Sequence, residues 1–216
     1  MGSGWFGPGL RPAIRLLATG LLAACGVSLA IAEQEHPHPD RTVAARGEVK
    51  RTERGEPVQV TVRELPDEEV EINAWIRIGD AHPDSVFAVV SDFEHLAAFM
   101  PNVERAKVVA RTDSSVVVDQ LGATRFIVRK EIHTVVEYVL GPRRLGFRAL
   151  EGQLKRFDGF WSVTPARGDS VLVLFRAELA FDTELPRFLV RHAIGREFSR
   201  MMPAFASEVR RRWPRP

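Results

Sequence analysis

From Val70 to Ile78 every second residue is apolar: Val70, Ile72, Ala74, Ile76 and Ile78 share one face, and Glu71, Asn73, Trp75 and Arg77 the other. That period of two predicts a strand with one buried face. Just before it, "GEVKRTERGEPVQVTVREL" alternates at Val58, Val60 and Val62, which predicts two short strands joined at "ERGEP". The period then changes. In "AHPDSVFAVVSD", Pro83 suits a first helical turn, Asp84 suits the positive end of the helix dipole, and Val86, Phe87, Val89 and Val90 form an apolar face. "EHLAAFM" predicts a second short helix, which must end before Pro101 because the proline ring disfavours helical geometry in the residue ahead of it.

Strand signals then crowd together: "ERAKVVART", "SVVVDQLG", "TRFIVRKEIHTVVEYVL", "RLGFRALEG", "KRFDGFWSVTP" and "SVLVLFRAELAFD". Their connectors are short and turn-rich, so neighbours should pair as antiparallel hairpins. In the longest run Phe126, Val128, Ile132, Val136, Tyr138 and Leu140 share a face that Lys130 and Thr134 interrupt. The last segment has helical period. From Leu185 to Arg212, Val190, Ile194, Phe198, Met201, Met202, Phe205 and Val209 fall on one stripe at about 100° per residue. Pro203 lies inside it, where a kink is expected.

One core strand, two short helices, about six further strands and a long amphipathic helix define an α+β chain. A curved antiparallel sheet of six to seven strands wrapped around the C-terminal helix would bury every apolar stripe. Two motifs sharpen this. "VFAVVSDFEHLAAFMPNVERAKVV" carries Asp92-Phe93-Glu94 and then Phe99-Met100-Pro101 before a strand, and "LEGQLKRFDGFWSV" carries Gly152, Arg156-Phe157, Gly159 and Trp161. Together with "GPRRLGFRAL" they resemble the START-like, helix-grip (SRPBCC) superfamily, in its coenzyme Q-binding and polyketide cyclase/lipid transport branch. The resemblance spans about Val58 to Arg212. It implies a hydrophobic cavity between sheet and helix that takes up an apolar molecule: a lipid, an isoprenoid or a quinone-like compound. It also implies an alternative, a cyclase/dehydrase-type enzyme acting on an apolar polyketide-like substrate in the same cavity.

The totals narrow the choice. With 216 residues, 45% hydrophobic and 27% charged, the chain has the balance of a globular protein with one full core. The net charge of +2 comes from Arg11 and Arg15 in a leader without acids; beyond residue 32, acids and bases are equal in number. A nucleic-acid binder keeps a basic excess, so no nucleic-acid partner is expected. The leader itself, residues 1–32, runs from basic "LRPAIR" through apolar "LLATGLLAACGV" to Ala30-Ile31-Ala32, the order of an export signal. Three fates are open: cleavage after Ala32, lipidation of Cys25 in the lipobox-like "LAAC", or retention as an anchor. Each predicts an exported protein, periplasmic or secreted. Residues 33–45 read as a polar linker, 46–66 as an additional β-hairpin, and 67–216 as the START-like domain.

Candidate chemistry is sparse. His133 falls with Arg129, Glu131 and Glu137 on the outward face, and His192 beside Arg196 on the helix surface. Asp92 is expected to cap the following helical turn, and Asp158 to point away from the face of Phe157 and Trp161. His36 and His38 lack a third ligand at useful spacing, and neither a Gly-x-Ser-x-Gly turn nor a His-x-x-x-His pair occurs. No metal, cofactor or catalytic residue is assigned, and binding is favoured over catalysis. The expected wall comprises Phe126, Phe157, Trp161, Phe175, Phe198 and Met202, with Phe99 and Met100 at the mouth and Gly159 leaving room opposite the helix. The expected state is a monomer, touching membranes transiently through the basic "RRRWPRP" terminus.

Overall fold

The computed structural model describes residues 49–51, 57–67, 69–124, 130–181 and 186–214. The leader with Cys25, the linker and Phe126 lie outside the described residues. Among the described residues nine strands form one sheet: β1 (Val49–Arg51), β2 (Pro57–Glu64), β3 (Glu69–Gly79), β4 (Val103–Arg111), β5 (Ser115–Thr124), β6 (Lys130–Gly141), β7 (Arg144–Gly152), β8 (Leu154–Ala166) and β9 (Ser170–Phe181). Three helices accompany them: α1 (Pro83–Val90), α2 (Leu96–Phe99) and α3 (Arg187–Arg212). A single 3-10 turn, Phe93–His95, leads into α2.

Strand order is β1-β2-β3-β9-β8-β7-β6-β5-β4, and every neighbouring pair is antiparallel. The count exceeds the six to seven expected because β1 and β2 join the same sheet, Val62 pairing with Ile72. The chain leaves β3 at Gly79, and α1 and α2 carry it to β4 at the opposite edge. Pro83 opens α1, and the His82 ring accepts from the Asp84 amide at 3.3 Å. Met100, extended at φ −86°, ψ 115° before Pro101, ends α2 as the sequence requires.

Register gives the sheet two ends. One is formed by Gly79 against Ser170, Gly141 against Arg144 and Val116 against Arg111; the other by Glu69 against Ala180, Thr134 against Gly152 and Val103 against Gly122. Register shifts in β4–β5, β6–β7 and β8–β9 place bulges along the strands, which bend them. Gly152, just beyond the bulge in β7, has φ +129°, and a Cβ there would come within 2.3 Å of the His133 carbonyl. The curved sheet holds α3 against β2 and β3, with Val190, Ile194, Met202, Phe205 and Val209 buried. Among the described residues no helix is long and apolar enough to cross a membrane.

Candidate functional site

Aromatic rings run in an unbroken chain across the face of the sheet that α3 covers. Phe93 lies 4.4 Å from Tyr138, Tyr138 6.1 Å from Phe147, and Phe147 4.8 Å from Phe157 and 5.6 Å from Phe175. Phe175 then meets Trp161 edge-on at 4.7 Å and Phe198 at 4.9 Å, and Trp161 reaches Phe205 at 5.7 Å. These spacings are those of attractive offset and edge contacts. Strand alternation supplies the rings from the sheet, and the 3.6-residue stripe of α3 supplies Phe198 and Phe205.

Burial along this face is graded. Towards the Gly79 end, Val116, Val118, Val136, Leu145, Val163, Val171 and Val173 are at most 2% exposed. Towards the Gly152 end, the inward side chains Gln120, Ile132, Phe157 and Leu179 keep part of their surface, as do Phe198 and Met201 of α3 and Phe99 of α2. A packed interior encloses such residues fully. On strands β5 to β9 and along α3, apolar surface is therefore left uncovered towards the Gly152 end, while Val70, Ile72 and Ala177 beside it are closed over. A separate solvent-open depression of about 420 Å³ lies at the Gly79 end, between Asp80–Pro83 and the β8–β9 turn with Gly168, Asp169 and Ser170.

The sequence-derived wall residues are distributed along that gradient. Trp161, Phe175 and Met202 are buried, at 8%, 3% and 0% exposure, whereas Phe157, Phe198 and Phe99 are half-buried at the looser end. Met100 is buried beside Phe99. His133 points outward, half-exposed, with its Nε2 2.7 Å from an Asp119 oxygen. His192 is exposed on α3. Asp158 accepts from Arg156 on the outer face, where Arg156 also reaches Glu69 and Glu178.

Two expectations are corrected. Asp92 makes no capping bond to the turn that follows it. Its carboxylate instead takes the Arg212 guanidinium at 2.5 Å and the His95 ring nitrogen at 2.8 Å, because a cation offers a carboxylate more than a free amide does. Gly159 does not open space for a guest: a Cβ there would lie 2.0 Å from the Arg176 carbonyl and 2.8 Å from the Ala177 Cα. Glycine is needed because β9 passes so close.

Three features were missed by sequence reasoning. Gln120 faces inward and donates from Nε2 to the Tyr138 hydroxyl at 2.6 Å. Burial pushes the Tyr138 phenol up to about 12 despite that bond. The alternation Val116, Val118, Gln120 carries the signal for it, masked by the polar Asp119 alongside. Phe147, a node of the ring chain, was equally readable from Leu145 and Phe147 in "RLGFRAL". The last is an ionic joint at the C-terminus of α3, where buried Glu208 accepts from Arg211 and from Arg212, both at 2.7 Å, and Arg212 continues to Asp92 and lies 5.7 Å from the Phe99 ring. These two arginines hold the Glu208 carboxyl at about 2, below its usual range, with Arg211 the larger cause. Among the described residues no group of three His, Cys, Asp or Glu could hold a metal ion.

A bent antiparallel sheet gripping one long C-terminal helix, with an aromatic inner face, defines a START-like helix-grip domain. The chain belongs to the polyketide cyclase/dehydrase and lipid transport family, whose model matches residues 79–206. Solved structures agree in fold. A STAR-related lipid transfer protein from Xanthomonas axonopodis superposes with a TM-score of 0.60 at 18% identity, covering 76% of this chain and 98% of that one. The Zhui aromatase/cyclase from a Streptomyces species gives 0.59 at 16% identity, over 67% of this chain and 95% of that one. Human StAR-related lipid transfer protein 5 gives 0.56 at 14%, over 80% and 90%. No curated protein sequence matches the chain.

Proposed function

We propose that this chain binds an apolar small molecule, of lipid, isoprenoid or quinone-like character, between the sheet and α3 at the Gly152 end. The observation that carries this reading is apolar surface left uncovered between sheet and helix towards the Gly152 end, on Phe157, Leu179 and Phe198. Affinity would come mainly from removing that surface from water, at about 25 cal/mol per Å². Phe99 and Met100 stand at the mouth. The lipid transfer proteins of the same fold support a carrier, and the order of charge, apolar residues and small residues in the leader supports export.

The cyclase reading draws support from the Zhui aromatase/cyclase fold. Proton transfer at neutral pH needs a group whose pKa lies near 7, and Tyr138, pushed up to about 12, stays protonated and serves better as a hydrogen-bond donor than as an acid or base. The uncovered apolar surface and the lipid transfer proteins of the same fold favour carriage. The test is mass spectrometry of an organic extract of protein purified from its native host. A carrier releases an apolar molecule approaching one per chain; an extract indistinguishable from that of a Phe157→Trp, Phe198→Trp variant, whose site is filled, counts against it.

A further inference from the structure

We infer that Gln120, Tyr138 and Thr134 form a polar anchor within this apolar wall, which selects a guest carrying a hydroxyl or carbonyl oxygen at the end that enters first. This rests on the proposed binding of an apolar guest and specifies its class. In β5 the inward residues run Val116, Val118, Gln120, and in β6 they run Thr134, Val136, Tyr138. Gln120 lies opposite Thr134, while Tyr138 lies opposite Val116 in the tightly closed half. The Tyr138 ring must reach back along the sheet for its oxygen to meet Gln120 at 2.6 Å. The polar spot therefore sits where closed packing gives way to uncovered surface, at the inner limit of the proposed site.

The hydrogen-bond inventory points the same way. Gln120 donates to the phenol oxygen, so the phenol keeps its own O–H and Gln120 its carbonyl oxygen. Among the described residues neither makes another side-chain hydrogen bond, and the Thr134 hydroxyl, in a residue 5% exposed, makes none. The Gln120 carbonyl oxygen and the Thr134 hydroxyl are not sealed from solvent, so a guest can reach them, and leucine and valine would fill the same positions without offering it a hydrogen bond. One oxygen of a guest could accept from Tyr138 and, if a hydroxyl, donate to Gln120. The raised pKa of Tyr138 keeps that donor protonated at any physiological pH. A pure hydrocarbon would leave all three groups unanswered.

The test compares fluorene, 2-hydroxyfluorene and 9-fluorenone, which share one ring skeleton, by displacement of N-phenyl-1-naphthylamine from the full chain and its variants. The expected result is that the two oxygenated probes bind about tenfold more tightly than fluorene. Tyr138→Phe and Gln120→Leu should each bring that ratio close to one, weakening the oxygenated probes relative to fluorene. Thr134→Val should lower it part of the way. If Tyr138→Phe fails to fold, Gln120→Leu and Thr134→Val make the same comparison. Equal binding of all three probes to the wild type, or a preference that survives these substitutions, overturns the anchor and leaves apolar binding standing. If none of the probes binds, both the anchor and the binding reading fall.

Discussion

Arg212, in the last turn of α3, donates from Nη1 to an Asp92 oxygen at 2.5 Å, with the two side chains 22% and 17% exposed. Asp92 opens the turn that leads to Phe99, so the far end of the long helix is fastened to the segment beside the proposed mouth. Glu208 completes the joint by accepting from Arg212 Nε. Removing the arginine leaves two partly enclosed carboxylates without their shared cation. Arg212→Ala should lower stability by about 2 kcal/mol, or the melting temperature by roughly 5 °C, in thermal or urea unfolding. Arg212→Lys should recover only part, since one ammonium cannot serve two carboxylates in a fixed fork.

The same joint predicts acid sensitivity. Glu208 is held at about 2 and Asp92 below its usual range, the latter by His95 and Arg212 against an opposing effect of burial. Carboxyls whose folded pKa is depressed stabilise fully above their unfolded values and lose that contribution as pH falls through the folded ones. Stability should be level above about pH 5 and decline between about pH 4.5 and pH 2. Glu208→Gln should be less stable at neutral pH and show a shallower decline, measured by urea midpoints across that window.

Phe157 and Phe205 separate the wall from the core. Phe205 of α3 is fully buried against Trp161 of β8, so Phe205→Ala should cost about 3–5 kcal/mol in unfolding free energy. Phe157 is only half-buried and touches one described ring, Phe147, so Phe157→Ala should cost less than half as much. Its effect on guest binding should be the larger of the two per unit of stability lost. Asp92→Asn and His133→Gln, which change no apolar surface, should leave guest affinity within about twofold.

Gly159→Ala tests the close approach of β8 and β9. The added methyl would meet the Arg176 carbonyl at 2.0 Å, backbone that cannot swing aside. The expected loss is about 3 kcal/mol or failure to fold. Gly146→Ala in β7, whose nearest neighbours lie at 4.0 Å, should be nearly neutral in the same assay.

Strand positions were readable because period-two alternation and short turns act over a few residues: β7 matches "RLGFRALEG" end to end, and β9 begins at Ser170 as its pattern does. The stripe from Val190 to Val209 likewise placed α3. What escaped depends on contacts between distant segments. Arg212 and Asp92 are 120 residues apart, and nothing local to either names the other. Gly159 reads as a gap from β8 alone and becomes a necessity only when the Arg176 carbonyl arrives beside it. The β1–β2 hairpin was legible as strands, but its pairing to β3 was not, because an edge carries no sequence mark of its neighbour. Gln120 was readable by alternation; its meaning required Tyr138 to reach back to it.

The proposed guest site can be checked by a crystal structure of the protein grown with 2-bromo-9-fluorenone, locating the bromine by its anomalous signal. The signal should fall on the inner face within about 4 Å of Phe157 or Phe198, with the ketone oxygen towards Gln120 and Tyr138. A bromine found only on the outer face, or an inner face on which Phe157 and Phe198 have closed together with no guest at saturating probe, would contradict binding between the sheet and α3.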